Sequence, residues 1–246
     1  MTNMTIGVLG AGVMGSGIAQ VTAVAGYDTV CFDVDESALD AARRHVTTGR
    51  FGLDSGVARG KLTRDDADAA LARIRFTHNF DEAAATDLVI EAIPERLELK
   101  VRVFRDLDRV APATTVLASN TSGFPIAALA AATERPERVI GWHWASPAPV
   151  MRLAEIVVTP ETGEDTVELV RETATRCGKN PVVVKDAPTA WGFVANRVYF
   201  AMIREAQRVV DEGVASRDAV DQLMMDCFRW PSGPFGMVKG AGSGWS

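Results

Sequence analysis

The sequence has few cysteines and lacks any long apolar run. Its cysteines, Cys31, Cys177 and Cys227, are far apart and odd in number, which fits neither a disulfide framework nor a zinc site. Such cysteine usage is typical of a reducing cytoplasm. No apolar run reaches the roughly 18–20 residues of a membrane span, and the amino-terminal segment lacks the basic and then apolar regions of a signal peptide. We therefore expect a cytoplasmic protein with no bound metal and no membrane partner.

Positive charge is also scarce, because 26 Lys and Arg stand against 32 Asp and Glu and give a formal net charge of −6. No basic stripe stands out, so the sequence argues against a nucleic-acid partner. The hydrophobic content of 47% is that of an ordinary globular protein. A chain of 246 residues allows one large domain or two smaller ones.

The first part of the chain alternates short apolar runs with longer amphipathic ones. The runs rich in Val, Ile, Leu or Phe predict strands, which are Thr5–Leu9, Asp28–Phe32, Ile74–Thr77, Asp87–Glu91, Thr115–Ser119, Val139–Trp142, Ala154–Val158 and Pro181–Val184. The segments between them predict helices, which are Gly15–Ala25, Glu36–Leu53, Thr63–Arg73, Leu97–Val110, Pro125–Ala132 and Glu164–Cys177. This alternation predicts an α/β fold with a doubly wound, mainly parallel sheet.

The pattern changes after Asp186. Val194–Glu212 predicts a long helix that ends at Gly213, and Ser216 is a candidate N-cap for a second helix over Arg217–Cys227. With no further strand, these helices predict a small all-helical domain. We therefore expect a first domain over residues 1–186 and a helical domain over residues 187–246.

A glycine-rich turn after the first strand has the spacing of a dinucleotide fingerprint. Gly10 permits a tight turn, Gly12 lets the backbone approach a pyrophosphate, and Gly15 lets the following helix pack closely on the strand. Asp33 ends the next strand, close to the interval of about 20 residues at which an acid binds the adenosine ribose. Its charge would repel a 2′-phosphate, so the pattern predicts NAD rather than NADP. Asp35 stays open as an alternative ribose ligand. The candidate cofactor residues of this Rossmann-type half are Gly10, Gly12, Val13, Met14, Gly15 and Asp33.

A histidine is the natural acceptor for the proton of a hydroxyl group that is being oxidised. His45 lies in a polar helix and His78 in a polar turn, so we interpret both as solvated. His143 ends a predicted strand at the carboxyl edge of the sheet, where open α/β sheets bind ligands. Glu155 on the next strand could fix the tautomer of His143, although a surface acid on an edge strand is the alternative. Ser122 follows another strand at the same edge and could reach a ligand oxygen or cap a helix.

Several segments, taken in order, resemble the L-3-hydroxyacyl-CoA dehydrogenase family over essentially the whole chain. The matching segments are Gly7–Gly17, Val89–Glu95, Ala118–Ser122, His143–Glu155, Gly192–Arg197 and Gly233–Phe235. This resemblance implies an NAD-dependent oxidation of a 3-hydroxyacyl-CoA, or the reverse reduction. It also implies that the helical domain serves substrate binding and dimerisation.

The resemblance also implies roles for single residues. His143 would take the proton of the substrate 3-hydroxyl as the hydride leaves C3, and Glu155 would orient His143 and support its charge. Ser122 and Asn196 would hydrogen-bond the substrate oxygens. The family positions that line the cofactor are matched by Glu95, Lys100, Ser122 and Ser146.

The sequence departs from the family at three places. The family run Phe-Phe-Asn-Pro after the histidine is replaced by Trp144–Pro147, which puts Ser146 in place of an asparagine. The segment Asp186–Phe193 is longer than its family counterpart. The family continues with further helices after the position of Phe235, whereas this chain has the glycine-rich run Lys239–Ser246. A naturally short form and a truncated chain both stay open.

Two alternative functions follow from these departures. One is a related dehydrogenase for a small hydroxy acid or a carrier-bound acyl group, and the other is an NAD-binding protein with little or no activity. Arg59 and Lys61 are candidate partners for the CoA phosphates or residues of a solvated loop. Apolar helix faces such as Val194, Val198, Ala201 and Met202 predict a homodimer.

Overall fold

The computed structural model describes residues 4–243 of the chain. It contains one eight-stranded sheet, in the order β3-β2-β1-β4-β5-β6-β7-β8. The strands are β1 Thr5–Leu9, β2 Asp28–Phe32, β3 Ile74–Thr77, β4 Leu88–Glu91, β5 Val116–Ser119, β6 Val139–Trp144, β7 Leu153–Val158 and β8 Asn180–Lys185. Neighbouring strands are parallel except for β6 and β7, which pair antiparallel.

Eight α-helices accompany the sheet within the described residues. They are α1 Val13–Val24, α2 Glu36–Thr48, α3 Leu53–Ala58, α4 Arg64–Ala72, α5 Phe80–Ala84, α6 Leu97–Val110, α7 Ile126–Ala130 and α8 Glu164–Arg176. Three further helices follow, α9 Ala195–Asp211, α10 Arg217–Phe228 and α11 Pro234–Ser243. No helix among the described residues is long and apolar enough to cross a membrane.

The central strands are apolar on both faces because helices cover both sides of the sheet. In β4, Leu88 and Ile90 pack into one hydrophobic cluster, while Val89 between them packs into a second cluster. All four residues of β4 and all four of β5 are buried, as expected for strands inside a doubly wound sheet. The predicted α/β fold, with a mainly parallel sheet followed by helices, is therefore confirmed.

The predicted long helix Glu36–Leu53 is wrong, because the chain breaks it into α2 and α3. Gly49 and Gly52 make the break, and a Cβ at these positions would lie 2.4 Å from the His45 carbonyl oxygen and 2.7 Å from that of Thr47. A side chain at either position would therefore clash with the backbone of the turn. The predicted end of β6 at Trp142 is also two residues short, so His143 lies inside the strand and not after it.

The chain divides into two compact units between Phe193 and Val194. Residues 187–193, which the sequence pattern places with the helical domain, cluster with the first unit, where Phe193 is buried in a hydrophobic cluster. The predicted domain boundary at residue 186 stays a prediction. Up to Ser243, the second unit holds three helices and not the two expected, because the segment after Trp230 forms α11. Of the glycine-rich run Lys239–Ser246, the part up to Ser243 belongs to α11 and the rest lies outside the described residues. The substrate and dimerisation role of the helical domain stays a prediction.

Candidate active site

The loop between β1 and α1 has the geometry that the glycine pattern predicts. Gly10 adopts a φ of 97°, and a Cβ there would lie 2.6 Å from the Ala92 carbonyl oxygen. A Cβ on Gly15 would lie 1.7 Å from the Gly10 carbonyl oxygen, so no other residue fits at either position. At Gly12, in contrast, a Cβ would meet no atom within 4 Å. The backbone of Gly12 therefore faces open space at the amino terminus of α1, where a pyrophosphate can approach the exposed N–H groups.

The two acids after β2 have different structural tasks. Asp33 is partly buried, and its Oδ2 accepts a hydrogen bond of 2.8 Å from the Ala11 amide in the glycine-rich loop. Asp35 instead caps α2, because its Oδ1 accepts bonds from the amide and the hydroxyl of Ser37 at 2.9 and 2.8 Å. These bonds hold the pKa of Asp35 below its usual range. The carboxylate that lies against the glycine-rich loop is thus Asp33, which favours Asp33 over Asp35 as the ribose ligand.

The residues of this loop fit NAD. The open backbone at Gly12 provides the approach for the pyrophosphate, and Val13 and Met14 form the first turn of α1, with Val13 half-exposed. The Asp33 carboxylate provides hydrogen-bond acceptors for ribose hydroxyls and would repel a 2′-phosphate. Direct contacts of these residues with the cofactor stay predictions.

His143 and Glu155 form a buried pair on adjacent strands. They are directly opposite in the antiparallel pairing of β6 and β7, and His143 Nδ1 lies 2.7 Å from Glu155 Oε2. His143 is 5% exposed and Glu155 is 4% exposed, so the interaction is shielded from water. Glu155 is not a surface acid of an edge strand, because β8 pairs on the outer side of β7. A carboxylate that accepts from Nδ1 leaves Nε2 as the imidazole nitrogen available for acid–base chemistry.

Two further contacts surround His143 and its neighbour in β6, Trp144. The Phe193 ring lies 5.9 Å from the imidazole, centroid to centroid. The backbone amide of Trp144 donates a 2.9 Å bond to Asn120 Oδ1, in the segment after β5. Asn120 was not among the predicted site residues, and nothing in its sequence position distinguishes a strand-tethering amide from an ordinary loop residue.

A buried ion pair holds the segment after β4. Lys100 is 1% exposed, and its Nζ lies 2.6 Å from Glu91 Oε1 and 3.1 Å from Glu95 Oε2. Glu91 is fully buried and also accepts bonds from the Ile93 amide at 2.8 Å and the Ser119 hydroxyl at 2.6 Å. Burial raises the pKa of Glu91, although Lys100 opposes the shift. Lys100, predicted to line the cofactor, is therefore enclosed and positions the backbone of this segment.

The same network reaches the candidate substrate residue Ser122. Glu95 Oε1 accepts a 2.6 Å bond from the Thr121 hydroxyl and a 2.8 Å bond from the Ser122 amide. Glu95 therefore fixes the backbone of Ser122. Lys100 contributes indirectly, because it pairs with the Glu95 carboxylate. Glu91 was missed by the sequence reasoning, although an acid at the end of the apolar run Leu88–Glu91 was a signal for a buried, paired carboxylate.

Two further candidates stand apart from this network. The hydroxyl of Ser146 is buried and has no hydrogen-bond partner in the described structure, as expected for a group that faces a ligand. Asn196 lies in the first turn of α9, in the second unit. Its contact with a substrate stays a prediction.

The connection between β6 and β7 packs against the dinucleotide-binding helix α1. A Cβ on Gly17 in α1 would lie 3.2 Å from Ala148 Cβ and 3.3 Å from Pro149 Cδ. Within the first unit, the connection between the strands of His143 and Glu155 therefore contacts the helix that follows the glycine-rich loop.

Comparison with known proteins identifies two family models that match the chain. The model of the 3-hydroxyacyl-CoA dehydrogenase NAD binding domain matches residues 5–187, and that of the 3-hydroxyacyl-CoA dehydrogenase C-terminal domain matches residues 192–246. The chain is 42% identical over 231 residues to a probable 3-hydroxybutyryl-CoA dehydrogenase of Bacillus subtilis, covering 94% of this chain and 78% of that protein.

Solved structures agree with these matches. The (S)-3-hydroxybutyryl-CoA dehydrogenase PaaH1 from Ralstonia eutropha has a TM-score of 0.88 and 39% identity, covering 95% of this chain and 80% of that chain. A diketoreductase described for dual catalysis of dicarbonyl compounds has a TM-score of 0.85 and 32% identity, covering 96% and 82% of the two chains. The sequence resemblance and the expectation of NAD as cofactor are thereby confirmed, and the chain belongs to the 3-hydroxyacyl-CoA dehydrogenase family of NAD-dependent oxidoreductases.

Proposed function

We propose that this enzyme oxidises the 3-hydroxyl of a 3-hydroxyacyl-CoA to a 3-oxo group, and catalyses the reverse reduction, with His143 as the acid–base residue. The observation that carries this proposal is the buried 2.7 Å hydrogen bond between His143 Nδ1 and Glu155 Oε2. It is supported by the loop Ala145–Arg152, which joins the strands of the pair and packs on the helix of the dinucleotide loop.

The pair can move one proton in each direction. When bound, NAD supplies the acceptor for the hydride that leaves C3 of the substrate. His143 takes the proton of the 3-hydroxyl at Nε2 while Nδ1 keeps its proton in the bond to Glu155. The Glu155 carboxylate holds this tautomer and offsets the positive charge that the imidazole gains. In the reduction, His143 returns the proton to the oxygen of the forming hydroxyl.

Three further side chains hold the substrate and cofactor in this proposal. Ser122, whose amide is fixed by Glu95, and Asn196 hydrogen-bond the substrate oxygens. Ser146 directs its buried hydroxyl toward the ligands in place of the family asparagine. Correct placement of the reacting carbon is worth a large part of a hydride-transfer barrier, up to about 7–11 kcal/mol for well-oriented groups.

A basic cavity provides a place for the phosphates of CoA. The cavity has a volume of about 400 Å³ and is bounded by α1, α3 and the connection between β6 and β7. Its lining includes Arg59, Lys61, Arg152 and Arg176. This concentration of cations in an acidic protein favours an anionic ligand. We propose that Arg59 and Lys61 bind phosphates of the CoA nucleotide.

A substrate panel tests the proposed reaction. Initial rates are measured with 3-hydroxyacyl-CoA thioesters of increasing chain length, each with NAD and with NADP. We expect NAD-dependent turnover with at least one short-chain thioester and a much lower kcat/KM with NADP. An Arg59→Ala/Lys61→Ala variant should raise KM for the thioester and leave kcat unchanged, because it removes binding that is equal in ground state and transition state. Absence of turnover with every thioester would overturn the proposal.

A related dehydrogenase that acts on a substrate without CoA is the second candidate. Two observations favour it. The run Trp144–Ser146, which follows His143, differs from the family run Phe-Phe-Asn. The chain is also similar to the diketoreductase. Free 3-hydroxy acids and acyl groups on small thiol carriers are compared with the CoA thioesters at equal concentration. A higher kcat/KM for a free acid or a non-CoA carrier would establish this candidate instead.

We also propose a homodimer built on the helical unit. Large apolar side chains of this unit are exposed, at 65% for Val198, 64% for Leu223 and 56% for Phe228. Within the described residues, α9 buries one residue, Ala206, and α10 buries one, Val220. Such faces favour a second copy as their cover. Light scattering at micromolar concentration should give twice the chain mass of 26.4 kDa, and a clean monomer would refute the dimer.

A reducing compartment, the cytoplasm, is the proposed location. Cys31, Cys177 and Cys227 all carry free thiols in the structure. Burial raises the pKa of the Cys31 and Cys177 thiols to about 12, which keeps them protonated and unreactive. Fractionation of the source cells with an antibody to the enzyme tests this location.

A further inference from the structure

The connection between the two strands of the acid–base pair is held from one side by a buried lysine. Lys179 lies between α8 and β8 and is 6% exposed. Its Nζ donates a 2.6 Å bond to the Ala148 carbonyl and a 2.7 Å bond to the Met151 carbonyl. Both carbonyls belong to the loop Ala145–Arg152 that joins β6 to β7. One ammonium group therefore joins two points of this loop.

The position of Lys179 is itself fixed by the backbone around it. Gly178 adopts a φ of 71° and turns the chain at the end of α8. The Lys179 amide donates a 2.9 Å bond to the Ala174 carbonyl, and the next amide, of Asn180, donates a 2.8 Å bond to the Arg152 carbonyl. The backbone of Lys179 is thus anchored by hydrogen bonds between α8 and β8, and its side chain reaches the loop. The bonds of its ammonium group resist displacement of the loop relative to β8.

Lys179 also contacts the strand that carries His143. Its Nζ lies 5.0 Å from the centroid of the Trp144 ring, within the range of a cation–π interaction. The Trp144 ring stacks in turn on Trp142 at 4.7 Å, centroid to centroid. Because His143 lies between these two tryptophans in β6, the cation contacts the strand at the residue adjacent to the proposed acid–base group.

The same loop also packs against helix α1. Ala148 and Pro149 pack against α1 at Gly17, where a Cβ would approach both side chains to 3.2 and 3.3 Å. The amides of Val150 and Met151 both bond to the Pro147 carbonyl at 3.0 Å, so the loop is a tight turn. Lys179 and α1 therefore both contact the loop.

We propose that Lys179 is a positioning residue for hydride transfer. It fixes the loop Ala145–Arg152 against α1 and thereby sets the distance between His143 and the dinucleotide-binding loop. This inference rests on the proposed function, in which His143 moves the substrate proton. Burial lowers the pKa of Lys179, but its two carbonyl partners and the Trp144 ring stabilise the ammonium form.

The test compares three variants of the whole 246-residue chain. Lys179→Met keeps a long side chain but removes its charge and its hydrogen-bond donors. Lys179→Arg keeps the charge and the donors. Lys185→Met is the matched control, because Lys185 is an exposed lysine at the other end of β8. For each protein we would measure kcat, KM for the thioester, Kd for NADH by fluorescence, the melting temperature and hydrogen exchange at the amides of Val150 and Met151.

We expect Lys179→Met to lower kcat by about tenfold to a hundredfold, the effect of a small misplacement of reacting groups. KM for the thioester and Kd for NADH should change little, and exchange at Val150 and Met151 should become faster. Lys179→Arg should recover most of kcat, and Lys185→Met should behave as wild type.

Three results would overturn the proposal. The first is a wild-type kcat in Lys179→Met. The second is an effect of Lys179→Met confined to KM for the thioester, which would make Lys179 a substrate ligand. The third is a fall in kcat that follows the fall in melting temperature and is not recovered in Lys179→Arg. Failure of the proposed function is distinguishable, because wild type and Lys185→Met would then also lack turnover with the thioester.

Discussion

His143 and Glu155 occupy directly opposite positions of the single antiparallel strand pair in the described sheet, and their side chains meet at 2.7 Å. The strand pairing sets this contact, because opposite residues of an antiparallel pair point to the same face. A slip of one residue would turn one side chain to the other face of the sheet. The strand register therefore fixes the position of the two side chains relative to each other.

Glu155→Gln should lower kcat by about 10²–10⁴-fold, because the amide keeps the shape of the carboxylate but cannot offset the charge that His143 gains. The measurement is the steady-state rate of NADH oxidation with a 3-oxoacyl-CoA. Glu161→Gln, at an exposed position after β7, is the control and should retain the wild-type rate. A Glu155→Gln enzyme with wild-type kcat would exclude the electrostatic role of Glu155.

Asp33→Asn should reduce the preference for NAD over NADP. The amide keeps an acceptor for the Ala11 N–H but loses the charge that binds ribose hydroxyls and repels a 2′-phosphate. Hydrogen bonds to charged groups contribute about 1.5–3 kcal/mol, so the ratio of kcat/KM values should fall at least about tenfold.

Asp35→Asn is the matched control for this prediction. It weakens the cap of α2 and should cost up to about 1 kcal/mol of stability without a change in cofactor preference. A larger effect of Asp35→Asn on the ratio would make Asp35 the ribose ligand.

Lys100→Met should lower the free energy of unfolding by about 3–5 kcal/mol, because it leaves Glu91 buried without its cation. Urea unfolding measures the loss, and Lys185→Met should stay within about 0.5 kcal/mol of wild type. Adding Glu91→Gln to Lys100→Met should recover part of the stability. Unchanged stability in Lys100→Met would mean that the pair does not support the segment after β4.

The same variant should respond to pH. Burial raises the pKa of Glu91, and removal of Lys100 would raise it further. A carboxyl whose folded pKa lies above its unfolded pKa is least destabilising when protonated, and its cost grows as the pH rises through the folded pKa. The deficit of Lys100→Met should therefore be larger at neutral pH than near about pH 4.

Alkylation should distinguish the three thiols. At about pH 8 the thiols of Cys31 and Cys177, with pKa values raised to about 12, contain almost no reactive thiolate. Cys227 is exposed, so mass spectrometry of the native protein should find one label per chain, at Cys227. Cys227→Ser should remove it, and rapid native labelling of Cys31 would contradict the packing of β2.

Local patterns predicted the frame of this molecule. The glycine-rich turn and the apolar strands could be predicted because each is encoded in a short segment of the chain. Burial of both faces of the sheet makes the strands continuously apolar. His143 and Glu155 could be proposed as a pair because they lie on consecutive strands. The antiparallel pairing that places them opposite each other was not predictable, since it depends on the tight turn between them.

The residues that support the site were harder to predict. Lys100 and Lys179 are charged residues in segments that also fit solvated surfaces, and their burial follows from tertiary contacts. The break at Gly49 and Gly52 was missed because the apolar periodicity continues across it. For the buried lysines, the deciding interactions join segments that a local pattern does not relate.

The central claim is that His143 moves the substrate proton and does not hold the cofactor. The direct measurement compares His143→Ala with wild type in two experiments, turnover of a 3-hydroxyacyl-CoA with NAD and the Kd for NADH in the absence of substrate. We predict that turnover falls below detection while the Kd for NADH stays within about twofold, since the proposed dinucleotide contacts belong to the loop after β1 and not to His143. Retained turnover, or an equal loss of turnover and NADH binding, would contradict this account.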